Sequence, residues 1–233
     1  MKSANDLPGW LSEEHATWES PNWQETIAKL PAEAFEFFER SHKIWFLCLP
    51  QVSKTTITSL MYFFVWDELD LAFKQAISAS YFSSVRALRY VFEFTVQAAV
   101  PEQNYSTLSD DQAKFNQAWS DDDFNGFSIF QLDRLSLISK SEVIVLKRLY
   151  RKLSQSGSHA TGQFLKVLYD NPKAVALHSF NEDLFHLCNE LCRGVVDWLL
   201  VVFFAKYPVV KSDANLKTTV NRLGLSMALA RMP

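Results

Sequence analysis

The sequence has little of what marks the alternatives to a helical fold. Six glycines and eight prolines in 233 residues are few for a turn-rich β architecture. Three cysteines with no C-x-x-C exclude a disulfide framework and point to free buried thiols in a reducing compartment, so a cytoplasmic location is expected. A formal charge of −3 supplies no overall field for nucleic acid, and any such role needs a local basic patch. The longest apolar runs, 60–66 and 195–205, fall short of the roughly 20 residues of a membrane span, and Asp197 interrupts the second. The opening MKSANDLPGWLSEEH lacks the apolar core of a signal peptide. G-x-S-x-G, G-x-x-x-x-G-K-[ST] and G-x-G-x-x-G are all absent, which removes the nucleophile elbow and the common nucleotide cradles.

What is present is apolar helical periodicity, with nineteen phenylalanines and 48% hydrophobic residues to fill one large core. Residues 1–53 read as an arm with Trp10, Trp18 and Trp23, in which Ser20-Pro21 opens one helix and Pro31 the next. From 54 to 100 a pair of long helices is expected, broken near 78–83 and stopped by Pro101. Val85, Leu88, Phe92, Val96 and Ala99 make the core seam of the second, with Arg86, Arg89 and Glu93 on its flank and Arg89 paired to Glu93 at i,i+4. Ser109 and Gln112 have capping-box spacing for a short helix to about residue 119. Asp121–Gly126 matches the start of a calcium loop, but Leu132 stands where the closing glutamate belongs, so the stretch reads as an acidic turn.

The segment 141–161, SEVIVLKRLYRKLSQSGSHAT, combines an amphipathic helix, four basic residues, a glycine stop at Gly157 and His159. Leu146, Leu149 and Leu153 form its buried stripe, Arg148, Lys152 and Gln155 lie opposite in solvent, and Lys147, Tyr150, Arg151 and Ser154 share one flank. The last long helix, 180–206, has Leu184, Cys188, Leu191, Val195, Trp198 and Val202 as its seam, and Arg193 and Asp197 spaced for an ion pair. Cys188 and Cys192 at i,i+4 have the spacing of two zinc ligands, yet their place at the seam makes them core side chains. Residues 207–233 form a basic amphipathic tail, with Leu216, Val220, Leu223 and Met227 repeating at helical spacing. An arginine fork for phosphate beside a histidine titrating near neutrality can activate a ribose 2′-hydroxyl without a metal.

A break holding Tyr81, then S-V-R-A-L-R-Y-V-F-E at 84–93, Y-R-K-L-S-Q-S-G-S-H at 150–159 and a long apolar last helix together resemble HEPN-like helical bundles. The likeness is to an uncharacterised prokaryotic branch with an R-x-x-x-E helix and a Y-R-x-L-S…H segment. It covers residues 55–206 and leaves both ends unaccounted for. The resemblance implies an up-and-down bundle of four to five helices, frequently dimeric, and in active members metal-independent RNA cleavage by an arginine and a histidine four to six residues apart. Here Arg151 and His159 are separated by seven residues, Lys152 and His159 by six, and Gly157 stands between.

The expectation is therefore an all-α bundle of four to five long helices at 54–206, with helical appendages at 1–53 and 207–233. Arg89 and Glu93 approach the 150–159 segment and orient it. Arg151 binds the scissile phosphate, His159 handles the proton, and Lys147, Tyr150 and Ser154 contact substrate. No metal or cofactor is needed. The resemblance implies RNA as a partner, a homodimer or a cognate protein, and a defence or toxin–antitoxin setting, while the short apolar runs imply no membrane. The competing reading is a non-catalytic interaction or regulatory bundle working through the tryptophan arm and the basic tail.

Overall fold

The computed structural model describes residues 57–104, 110–121, 137–157, 180–206 and 211–233, with single residues at 29, 107 and 108. The tryptophan arm, the helix expected from Pro31, the acidic turn beyond Asp121 and His159 lie outside the described residues. The fold is an all-α bundle, built from α1 (Ile57–Ile77), α2 (Tyr81–Asn104), α3 (Asp111–Ser120), α4 (Lys140–Gly157), α5 (Glu182–Lys206), α6 (Ala214–Arg222) and α7 (Ser226–Leu229).

α1 and α2 form an antiparallel hairpin because the link between them is tight. Ser80 N–H bonds Gln75 O at 2.8 Å and Ala79 N–H bonds Ala76 O at 3.1 Å, a closure that requires the left-handed φ of 58° at Ala79. α2 then packs on α1, α5 and α4. Its seam residues Val85, Leu88, Phe92 and Val96 are all fully buried. Pro101 does not stop α2, which runs on to Asn104. Proline forfeits a single ladder bond, and so near a helix end the last turn survives it. α3 starts from Asp110, whose carboxylate accepts Ala113 N–H at 3.2 Å, one residue later than the expected capping box.

α5 is the axis of the bundle. Asn181 caps it by accepting Leu184 N–H at 3.0 Å, and Asn181 N–H in turn donates to the Tyr81 hydroxyl at 2.9 Å, tying the starts of α2 and α5 together. Burial pushes the Tyr81 phenol up to about 12, although the Asn181 bond opposes the shift. From Val195 to Phe204 every residue of α5 is buried, the pattern of a helix with neighbours on all sides. Gly194 lets α4 come close, since a Cβ there would meet Leu149 Cδ1 at 3.0 Å.

The tail is two helices, not one. Gly224, at φ 67°, makes a left-handed turn after α6, with Leu225 N–H reaching Val220 O at 3.2 Å. Leu216, Val220, Leu223, Leu225 and Ala228 are buried in the same core as α1, α2, α4 and α5. Polar contacts fasten this segment. Arg193 donates to Leu223 O at 2.9 Å, and the Asp197 carboxylate accepts Met227 N–H at 3.0 Å and Ala228 N–H at 2.7 Å, capping α7 from another helix. The spacing that suggested an Arg193–Asp197 pair is used instead to hold two points of the tail.

Arg231 grips the start of α4. Its Nε and Nη2 meet the two Glu142 oxygens at 3.0 and 2.6 Å, while Glu142 also accepts Ser139 N–H at 2.6 Å and Ser139 Oγ accepts Glu142 N–H at 3.3 Å. That reciprocal Ser139–Glu142 pair is a capping box. Burial raises the Glu142 carboxyl, but the Arg231 and Ser139 bonds outweigh it and hold the group below its ordinary range. The clamp is therefore at full strength above the unfolded carboxylate pKa and weakens as pH falls through the lower folded one. Asp197 has the opposite sign. Burial raises its carboxyl despite the Ala228 and Met227 bonds, so its ionised form costs the folded state increasingly as pH rises through that raised value.

Candidate functional site

α4 carries most of the sequence-derived site residues, and the structure separates them into two sets. The amphipathic pattern puts Val143, Leu146 and Leu153 in the core, with Leu149 and Tyr150 partly buried at its edge. Lys147, Arg148, Arg151 and Lys152 are all exposed.

The inward set is a three-residue polar cluster at the α2–α4 contact. Glu93 Oε1 accepts from Arg89 Nε at 2.7 Å and from the Tyr150 hydroxyl at 2.8 Å, and Arg89 Nη2 donates to the Tyr150 oxygen at 3.2 Å. The Arg89 guanidinium also lies over the Tyr150 ring, 5.5 Å from its centroid. The hydrogen bond that Arg89 donates to Glu93 raises the Arg89 pKa further above its already high value, against some desolvation. Beneath the polar atoms, Tyr150 stacks on Phe92 with centroids 5.6 Å apart, and Phe92 leans on Trp198 at 5.7 Å. The cluster pairs one cation with one anion across the α2–α4 contact and acts as a clamp that fixes α4 against α2.

Tyr150→Phe keeps the ring and removes the hydroxyl that completes the clamp. Because Arg89 and Glu93 are about a quarter to a third exposed, water takes over part of the lost bonding. The variant is expected to lose about 1 kcal/mol of unfolding free energy in urea denaturation. An unchanged midpoint would mean that the hydroxyl contributes nothing.

The outward set is Arg151 with Arg148, Lys147 and Lys152. Arg151 and Tyr150 share a flank by spacing, but the long arginine side chain extends to solvent and makes no hydrogen bond or ion pair with the described residues. Ser154 is half-buried, and its hydroxyl has no hydrogen-bond partner among them. Arg89, Glu93 and Tyr150 are thus brought together, whereas Arg151, Lys147 and Ser154 are not part of that cluster. Ile144 and Val145, at 55% and 45% exposure, continue the outward face toward the start of α4, a feature that spacing alone had not brought out.

The cysteine pair is placed in the core. Cys188 and Cys192 are both buried, and the Cys188 thiol donates to Tyr81 O at 3.7 Å. Burial pushes the Cys188 thiol up to about 12 and raises Cys192 as well. Among the described residues no three His, Cys, Asp or Glu side chains converge as a metal site. No described helix is long and apolar enough to cross a membrane. No family model matches the chain, and no curated protein or solved structure matches it either.

Proposed function

We propose that this protein binds RNA through the phosphate backbone, using the outward face of α4. The observation that carries the reading is the concentration of Lys147, Arg148, Arg151 and Lys152, all exposed, within six consecutive residues of a chain whose formal charge is −3. Four cations over about 8 Å of helix rise give a local positive field that the whole molecule lacks, and two guanidinium forks match the paired oxygens of a phosphate. The likeness to HEPN-like bundles supports RNA as the polyanion. In this reading Arg89, Glu93 and Tyr150 are positioning residues that hold α4 rigid, and Arg151 with His159 forms the cleavage pair.

Binding and cleavage separate in one experiment. Fluorescence anisotropy with a labelled single-stranded RNA is expected to show at least a tenfold loss of affinity for Arg148→Glu/Arg151→Glu, with little change in thermal stability because both sites are exposed. Undiminished affinity would remove α4 as the binding face. Mixed RNA is then incubated with wild-type protein and His159→Ala, with and without chelator. Chelator-resistant cleavage lost in His159→Ala supports the ribonuclease; equal cleavage by both proteins rejects that role. Binding without cleavage leaves a non-catalytic RNA-binding module.

A further inference from the structure

We infer that the groove between α1 and α2 binds a linear alkyl diamine, a small organic cation with an apolar stem and an N–H donor at each end. The groove, of about 340 Å³, has the size of a small-molecule site. Its lining is ordered along its length. α1 ends at Ile77 and α2 begins at Tyr81, so counting outward from the link of the hairpin sets Gln75 opposite Ser83, Leu71 opposite Ala87 and Glu68 opposite Tyr90. All six line the groove. It therefore has a polar end near the link, an apolar middle, and an outer end that sets a carboxylate beside an aromatic ring.

Each level selects one part of the ligand. Glu68 is half-buried and makes no hydrogen bond or ion pair with the described residues, so its charge is available to an ammonium group. Tyr90, 47% exposed, stacks on Phe94 with ring centroids 5.2 Å apart, which holds its ring in place, and the face of such a ring attracts a cation. At the other end the buried Gln75 Oε1 has no hydrogen-bond partner among the described residues, an acceptor that the second ammonium satisfies. Between them Leu71 and Ala87 offer apolar contact to a methylene stem, and Leu71, 39% exposed, loses water when the stem covers it. Glu68 and Gln75 are seven residues apart on one helix, about 10 Å of rise, a distance that extended diaminooctane bridges. Exposed Arg86 also lines the middle level and has a partner of its own; its charge adds to the apolar walls in disfavouring a ligand charged in mid-stem. Diamine binding does not depend on RNA binding.

An NMR titration of the methyl-labelled full chain, freed of nucleic acid, tests it. Diaminooctane is expected to bind at roughly 0.1–1 mM, as its size allows, and to shift the Leu71 and Ala87 methyl resonances. Octylamine, which lacks the far donor, and octanediol, which lacks the charge, are expected to bind about tenfold more weakly. Spermidine has a similar span but a charge in mid-stem, and acetyl-lysine amide, standing for a lysine of a protein partner, has no second ammonium; both are expected to be weaker too. Glu68→Gln is expected to lose about tenfold in affinity, and Gln75→Leu to erase the preference for diaminooctane over octylamine, while thermal melts establish that both variants fold. No shift at Leu71 and Ala87 with diaminooctane up to about 10 mM overturns the inference. Equal binding of spermidine or acetyl-lysine amide, or an affinity that Glu68→Gln leaves unchanged, overturns it too.

Discussion

Phe92→Ala is expected to lower the free energy of unfolding by about 3–5 kcal/mol, the largest effect of any single truncation considered. Phe92 is fully buried, with its ring 5.6 Å from Tyr150 of α4 and 5.7 Å from Trp198 of α5. One side chain on α2 therefore joins three helices. Its removal leaves a void walled by two aromatic rings, which are too stiff and too firmly held to collapse into it. Urea denaturation followed by circular dichroism measures the loss directly. Phe92→Leu fills most of the space and is expected to cost much less, about 1–2 kcal/mol. A loss below about 1 kcal/mol for the alanine variant would mean that the three helices do not meet at this ring.

Asp197→Ala is expected to be the next most damaging, by about 2–4 kcal/mol, and its damage is local. The carboxylate is the acceptor for two backbone N–H groups at the start of α7, at 3.0 and 2.7 Å, in a segment whose N-cap residue, Leu225, offers no side-chain acceptor. Truncation strands both donors where water has little access. Hydrogen exchange is expected to accelerate at Met227 and Ala228 while the α1–α2 hairpin stays protected, because the tail can open without the bundle. Asp197→Asn retains one acceptor and should fall between. Unchanged exchange at Met227 and Ala228 in the alanine variant would show that α7 is held by apolar burial alone.

Much of this fold is legible locally. The seams of α2 and α5 repeat every three or four residues, so Val85, Leu88, Phe92 and Val96, or Leu184, Cys188 and Leu191, announce their burial in the sequence. Asp197 shows where that legibility ends. Its helical spacing suggests Arg193, yet its bonds go to N–H groups 30 and 31 residues away, and no local period encodes them. Glu142 is similar: Ser139 and Glu142 have capping-box spacing, while Arg231, 89 residues on, is visible only in three dimensions. Pro101 misleads in the other direction, since the cost of one lost bond is small beside the packing of the rest of α2.

The candidate site follows the same division. The Arg89–Glu93 pair is written in i,i+4 spacing, and the Tyr150 hydroxyl joins it from 57 residues away because the flanks of α2 and α4 meet. Arg151 lies on the Tyr150 flank by angle, but a flexible four-bond side chain at a helix edge is drawn to water when no buried carboxylate waits for it. Spacing locates a residue on a helix; it does not choose between cleft and solvent for a long side chain.

The central claim, that α4 meets RNA phosphates with its outward cations, is tested most directly by the salt dependence of binding. With four contacts to a single strand, log Kd plotted against log salt is expected to have a slope of about 3, which is a roughly 50-fold loss of affinity between 50 and 200 mM. Arg148→Glu/Arg151→Glu should flatten that slope to about 1 or less. A wild-type slope near zero, or one that the double substitution leaves unchanged, would contradict the account.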